Sequence, residues 1–192
     1  MAEGRADPVS LLFRYVVDDR RRALFPRGAR VLEIGAEVAA ALPSPCAGTF
    51  DAVWAGPGAL DGIEPRRLAV WLPGALRPGA PLLLCVRNPL PLPALLERVL
   101  TGAGDWRGRR AARIAGSPAP PTPREVREAF GRGFAWRGGF ALGLFLPAPG
   151  RAAWAAERPQ LFGLVAAAEA LLRRRPVFRG LGAFVALEGV RV

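Results

Sequence analysis

The sequence predicts a three-layer α/β fold around a mainly parallel sheet. Three observations carry this. Short apolar runs alternate with amphipathic stretches, the pattern of strands feeding helices that cover a sheet. The run Leu82-Leu83-Leu84-Cys85-Val86 is unbroken, as in a strand buried on both faces. The chain has 192 residues, 51% of them hydrophobic, enough for one folded domain with its own core. The expected organisation is a single domain over residues 1–192.

The elements follow in order. Residues 1–27 form an N-terminal helical segment. Asp7-Pro8 is a helix start, with Asp as N-cap and Pro at the first helical position. Pro26-Arg27-Gly28 ends it. Ala29–Gly35 reads as a short buried strand, and Ala36–Leu42 as a short Ala-rich helix closed by Pro43 and Pro45. Thr49–Ala55 is a second strand with Gly56-Pro57-Gly58 as its turn. Glu64–Ala75 is a helix, Pro81–Arg87 the third strand, and Leu92–Leu100 a helix. Residues 101–121 show no periodicity and read as a lid or surface loop. Thr122-Pro123-Arg124-Glu125 has the composition of a capping box. The helix it opens runs to Gly131. Phe134–Leu146 is a strand, bent or bulged at Gly138-Gly139. Arg158–Arg175 is a helix, and Ala183 to Val192 the last strand.

Composition removes whole mechanisms. All 27 basic residues are Arg, with no Lys and no His. Ser-His-Asp and Cys-His catalysis need His. Schiff bases and P-loops need Lys. Two Cys, Cys46 and Cys85, cannot by themselves make an ordinary zinc site, so no metal site is expected. Chemistry here must run on carboxylates, Arg, backbone groups or a cofactor. The net charge is +11. Arg abundance alongside 35 Ala, 23 Gly and 20 Pro reads as GC-rich codon usage. Nucleic acid is therefore not an expected partner, and Arg20–Arg22 and Arg173–Arg175 are expected on solvated faces. The longest charge-free stretches, Val38–Phe50 and Gly138–Gly150, are too short and too rich in Gly and Pro to span a membrane. No membrane partner is expected. Two Cys without a disulfide framework suggest a reducing, cytoplasmic setting.

At this point the residues resemble a known family, the class I S-adenosylmethionine-dependent methyltransferases. Pro26-Arg27-Gly28-Ala29-Arg30-Val31-Leu32-Glu33-Ile34-Gly35 is similar to that family's first strand. Phe50-Asp51-Ala52-Val53-Trp54 resembles its fourth. Leu76-Arg77-Pro78-Gly79-Ala80-Pro81-Leu82-Leu83-Leu84 resembles the turn into its fifth. The resemblance implies a Rossmann-like sheet. It also shows two departures. Gly35 is followed by Ala36-Glu37-Val38-Ala39 where the family has a Gly-rich loop. Only Ala36–Thr49 separates the first strand from the fourth, so the second and third strands have no counterpart. The implied sheet then has about five strands in the order 1-4-5-7-6 of the family's numbering, mainly parallel, with the last two strands forming an antiparallel C-terminal edge. The fourteen residues of Ala36–Thr49 just suffice for a right-handed parallel crossover. The first strand becomes an edge, or is covered by the N-terminal helix or another chain.

The resemblance implies S-adenosylmethionine as cofactor and methyl transfer to an unknown small-molecule acceptor, with a truncated cofactor site. The alternative is a non-catalytic, methyltransferase-like pseudoenzyme acting through its surface. It would work as a homodimer or with a partner at the exposed first-strand edge. The candidate cofactor residues are Glu33, Gly35, Ala36, Ala55 and Gly56. Glu33, inside an apolar strand, is either the acid beside the cofactor or half of an ion pair with an Arg. Gly35 is a loop remnant or a tight turn. Arg87 and Asn88, closing the third strand, are candidate substrate residues. Asn88 reads equally well as a turn residue before Pro89. No catalytic residue can be named. Asp51 and Cys85 read as structural, Cys46 as a loop thiol, and Trp106 with Arg107–Arg110 as part of the surface loop.

Overall fold

The computed structural model describes residues 7–35, 48–101, 120–146 and 153–192. Ala36, the helix expected at 36–42, Cys46, and Trp106 with Arg107–Arg110 lie outside them. So does nearly all of the expected lid.

The chain runs α1 (Pro8–Leu24), β1 (Val31–Ile34), β2 (Ala52–Ala55), α2 (Pro65–Ala75), β3 (Pro81–Arg87), α3 (Leu92–Thr101) and α4 (Pro123–Phe130). It continues through β4 (Phe134–Leu142), α5 (Ala153–Glu157), α6 (Pro159–Leu172) and β5 (Phe184–Arg191). The five strands form one sheet in the order β1-β2-β3-β5-β4. β1, β2 and β3 are parallel. β5 lies between β3 and β4 and is antiparallel to both. This is the expected order, and β1 is an edge strand.

Local chemistry sets the ends of the helices. The Asp7 carboxylate accepts from the amides of Val9 and Ser10, capping α1. Thr122 and Glu125 close a reciprocal capping box on α4. The sheet separates two apolar layers. On one face Leu32, Ile34, Val53, Leu82 and Leu84 pack against Leu68 and Leu72 of α2 and Val126 and Phe130 of α4. On the other, Trp54, Leu83, Cys85, Phe140 and Ala186 pack against Val9, Phe13, Val16 and Val17 of α1, with Phe162 and Val165 of α6 beside them.

Several expectations change in detail. β4 ends at Leu142, not Leu146, because Gly143 turns the chain at φ +69°. The expected bulge is present as a register shift between Trp136 and Gly138. Gly139 passes so close to β5 that a Cβ there would sit 2.4 Å from the Ala186 carbonyl oxygen. The helix expected from Arg158 is preceded by the five-residue α5, and Pro159 starts α6 afresh. Arg20 is not on a solvated face. Its guanidinium grips Glu188 of β5 with two hydrogen bonds, Nε to Oε1 at 2.7 Å and Nη2 to Oε2 at 2.5 Å. Arg173 is partly buried too, and desolvation lowers its pKa. No helix among the described residues is long and apolar enough to cross a membrane.

Candidate functional site

In open α/β sheets ligands bind beyond the carboxyl ends of the strands. Here those ends hold Glu33 within β1 and Gly35 just after it, Gly56 and Pro57 after β2, and Arg87 as the last residue of β3 with Asn88 after it. Between the first two ends and α1 lies a cleft of about 460 Å³. Its lining joins Glu33, Trp54, Gly56 and Pro57 to one stripe of α1: Ser10, Phe13, Arg14, Val17, Asp18 and Arg21. That spacing puts all six residues on one side of a helix. Phe13, Val17 and Trp54 form the buried floor. Arg14, Asp18, Arg21 and Glu33 supply charge at the rim. The Arg21 guanidinium lies 5.1 Å from the centroid of the Trp54 ring, a cation–π arrangement, and pairs with Asp18 at 3.5 Å.

Glu33 differs from its expectation. It is exposed, not buried. As the third residue of an edge strand it faces the α1 side, where the helix leaves the cleft open. Neither a buried ion pair nor a desolvated acid is needed to explain it. Ala55 is fully buried in the sheet, beneath the cleft and not in its lining. Gly56 is in the lining. Gly35 follows β1 with φ outside the left-handed region, and a Cβ on it would meet no atom within 4 Å. Its main chain faces open space, and the position makes no demand for glycine.

Arg87 and Asn88 stand further along the same sheet end and have partners of their own. Arg87 donates from Nε and Nη2 to Asp61 Oδ2, at 3.0 and 2.7 Å, and its guanidinium lies 5.4 Å from the Phe184 ring centroid. The Asn88 amide donates to the carbonyls of Gly180 and Gly182, both at 2.9 Å, and of Leu90 at 3.3 Å. Its Oδ1 accepts from the Leu90 amide. Asn88 thus ties the end of β3 to the loop that enters β5. Asp51 is structural as expected: it accepts from the Arg30 amide and pairs with Arg77 at 2.7 Å. Cys85 is a core residue, and burial pushes its thiol pKa well above the ordinary value.

Sequence reasoning missed the contribution of α1. Its signal was present: Ser10, Arg14, Asp18 and Arg21 recur at helical spacing beside the apolar Phe13 and Val17. A polar seam against an apolar one marks a helix edge that meets a cleft. A second unforeseen feature is Glu169 on α6, only 4% exposed. Its carboxylate accepts from the amides of Gly143 at 2.7 Å and Phe145 at 3.5 Å. Burial raises its pKa, opposed by the backbone amides of residues 143–146.

Among the described residues β1 is the edge of the sheet, and no strand beyond it supplies an acid to a ribose or walls to an adenine. The cleft offers instead two carboxylates and two guanidinium groups over an aromatic floor, a set suited to a small zwitterion.

No protein-family model matches the chain, and no curated protein matches it. Solved structures to which the chain is similar include an S-adenosylmethionine-dependent methyltransferase from Mesorhizobium loti. It shares 18% identity over 90% of this chain and 96% of that one, with a TM-score of 0.48. The cyclopropane synthase MmaA2 from Mycobacterium tuberculosis shares 19% identity over 76% of this chain, with a TM-score of 0.41. This chain covers 56% of the synthase.

Proposed function

We propose that this chain is a methyltransferase-like protein that has kept the amino-acid half of a cofactor cleft, lost the nucleoside half, and works by binding and not by methyl transfer. The observation that carries this reading is β1 at the edge of the sheet, with Glu33 opening toward α1. The ligand class it favours is a small zwitterion. Glu33 and Asp18 would receive a cationic group, and Arg14 and Arg21 an anionic one. Gly56 would shape the site without charge, and the β1 edge offers a surface for a partner or a second copy. Methyl transfer to a small-molecule acceptor is the competing reading, favoured by the cleft's place at the ends of β1 and β2.

Thermal unfolding with S-adenosylmethionine separates the two. A ligand at a hundredfold excess over Kd adds roughly 2.7 kcal/mol. For a chain of this size that is a rise in Tm of about 5–10 °C. The expected result is no rise at millimolar cofactor. A clear rise that Glu33→Gln abolishes would show that the nucleoside half is not lost and overturn this reading in favour of the competing one.

A further inference from the structure

The α1 cleft does not end at Asp18 and Arg21. Both residues also line a second basin, of about 620 Å³, nearer the C-terminal end of the helix, together with Arg22, Phe25, Pro26 and Arg27. The stripe of α1 that walls the cleft, through Arg14, Val17, Asp18 and Arg21, continues at the same helical spacing to Arg22 and to Phe25 at the cap. Cleft and basin are thus two parts of one trough along α1, with Asp18 and Arg21 at its waist. At about 1.5 Å per residue, Ser10 to Phe25 spans roughly 22 Å, more than a free amino acid can fill.

The two parts differ in charge. The cleft sets Arg14 and Arg21 against Asp18 and Glu33 and is balanced. The basin sets Arg21, Arg22 and Arg27 against Asp18 alone, a surplus of two positive charges. Arg21 and Arg22 lie in the last turn of α1, where cations offset the helix carbonyls, but that end carries only about half a negative charge. Arg22 Nε donates to the Asp18 carbonyl at 3.3 Å. Arg27 stands past the helix, exposed, with no ion-pair partner among the described residues. Arg21, at the waist, is fixed on two sides, by the Trp54 ring and by the Asp18 carboxylate. A guanidinium held in place loses less freedom on meeting an oxyanion, and its fork matches phosphate oxygens.

A ligand that matches both parts has an ammonium and a carboxylate for the cleft and a compact dianion for the basin. A phosphate monoester carries about −1.5 to −2 at neutral pH, which equals the surplus. We infer that the trough along α1 binds an amino acid whose side chain ends in a phosphate, with the zwitterion among Glu33, Asp18 and Arg14 and the phosphate among Arg21, Arg22 and Arg27. This rests on the proposed reading of the cleft as a zwitterion site and names the class of its ligand.

The test is isothermal titration calorimetry of the full chain with serine, O-phosphoserine and inorganic phosphate at one ionic strength. O-phosphoserine is expected to bind about tenfold or more tighter than either of the others. Arg22→Gln/Arg27→Gln should bring it down to the affinity of serine while keeping the parent Tm, since both side chains are exposed. Equal affinities of the parent for serine and O-phosphoserine would overturn the inference and leave the zwitterion reading standing. Undiminished O-phosphoserine binding by the double variant would do the same. Inorganic phosphate binding as tightly as O-phosphoserine, with serine not bound, would overturn both, because the cleft would then contribute nothing. Failure of all three to bind would also overturn both.

Discussion

Arg20 and Glu188, 168 residues apart in sequence, are joined by a two-pronged ion pair that pins the amphipathic α1 to the middle of the sheet. Glu188 is 8% exposed, and the guanidinium supplies the hydrogen bonds its carboxylate has lost from water. The carboxylate in turn holds the Arg20 pKa above its ordinary value. Removing one partner strands the other. Arg20→Ala should lower stability by about 2–4 kcal/mol, and Arg20→Leu combined with Glu188→Leu should recover most of it. Urea denaturation of the two single variants and the double variant measures the coupling.

Glu169 makes stability depend on pH. Its folded pKa is raised by burial, so between the unfolded value and the folded one the native state holds a proton that the unfolded state has released. Its contribution is complete below the unfolded value and is lost as pH rises through the folded one. Glu169→Gln mimics the neutral form and removes this dependence. Denaturant midpoints from acidic to neutral pH should therefore show the variant gaining on the parent as pH rises. A constant difference would contradict the assignment.

Gly139 tolerates no side chain. A Cβ 2.4 Å from the Ala186 carbonyl oxygen forces β4 and β5 apart at their pairing. Gly139→Ala should cost about 1–3 kcal/mol. Gly35→Ala, where a Cβ meets open space, should change stability by less than about 0.5 kcal/mol. A thermal melt of the pair gives the comparison directly.

Asn88→Ala should destabilise the fold by about 1–3 kcal/mol, because the carbonyls of Gly180 and Gly182 lose their donor. Native Cys85 should resist thiol reagents at mildly alkaline pH until the chain unfolds, its thiol being fully buried with a raised pKa. A Cys46→Ser background isolates that signal.

Strand order was legible only through the succession of motifs. The acid-bearing first strand, the turn Arg77-Pro78-Gly79 and the unbroken apolar run of β3 are each weak alone, and it is their order along the chain that carries the resemblance from which the strand order follows. Helix starts at Asp7-Pro8 and Thr122-Pro123 were legible from their own capping residues. The exposure of Glu33 was not, since it depends on how far α1 reaches across an edge strand, a matter of tertiary packing. The bond between Arg20 and Glu188 was hidden likewise: an Arg in a run of three carries no mark of the acid it will meet. The division of α5 from α6 rested on Pro159, a residue equally at home in the first turn of one longer helix.

The position of β5 also governs the order in which the molecule can be assembled. β4 has no neighbour in the sheet but β5, and β5 enters between β3 and β4, both of which precede it in the chain. Residues 134–142 therefore wait, without a strand to pair with, until residues 184–191 have been synthesised. β1, β2 and β3 can zip together as soon as they emerge. Until β5 is made, a sheet of β1, β2 and β3 leaves the β3 edge open, and β5 both covers that edge and supplies the strand to which β4 pairs.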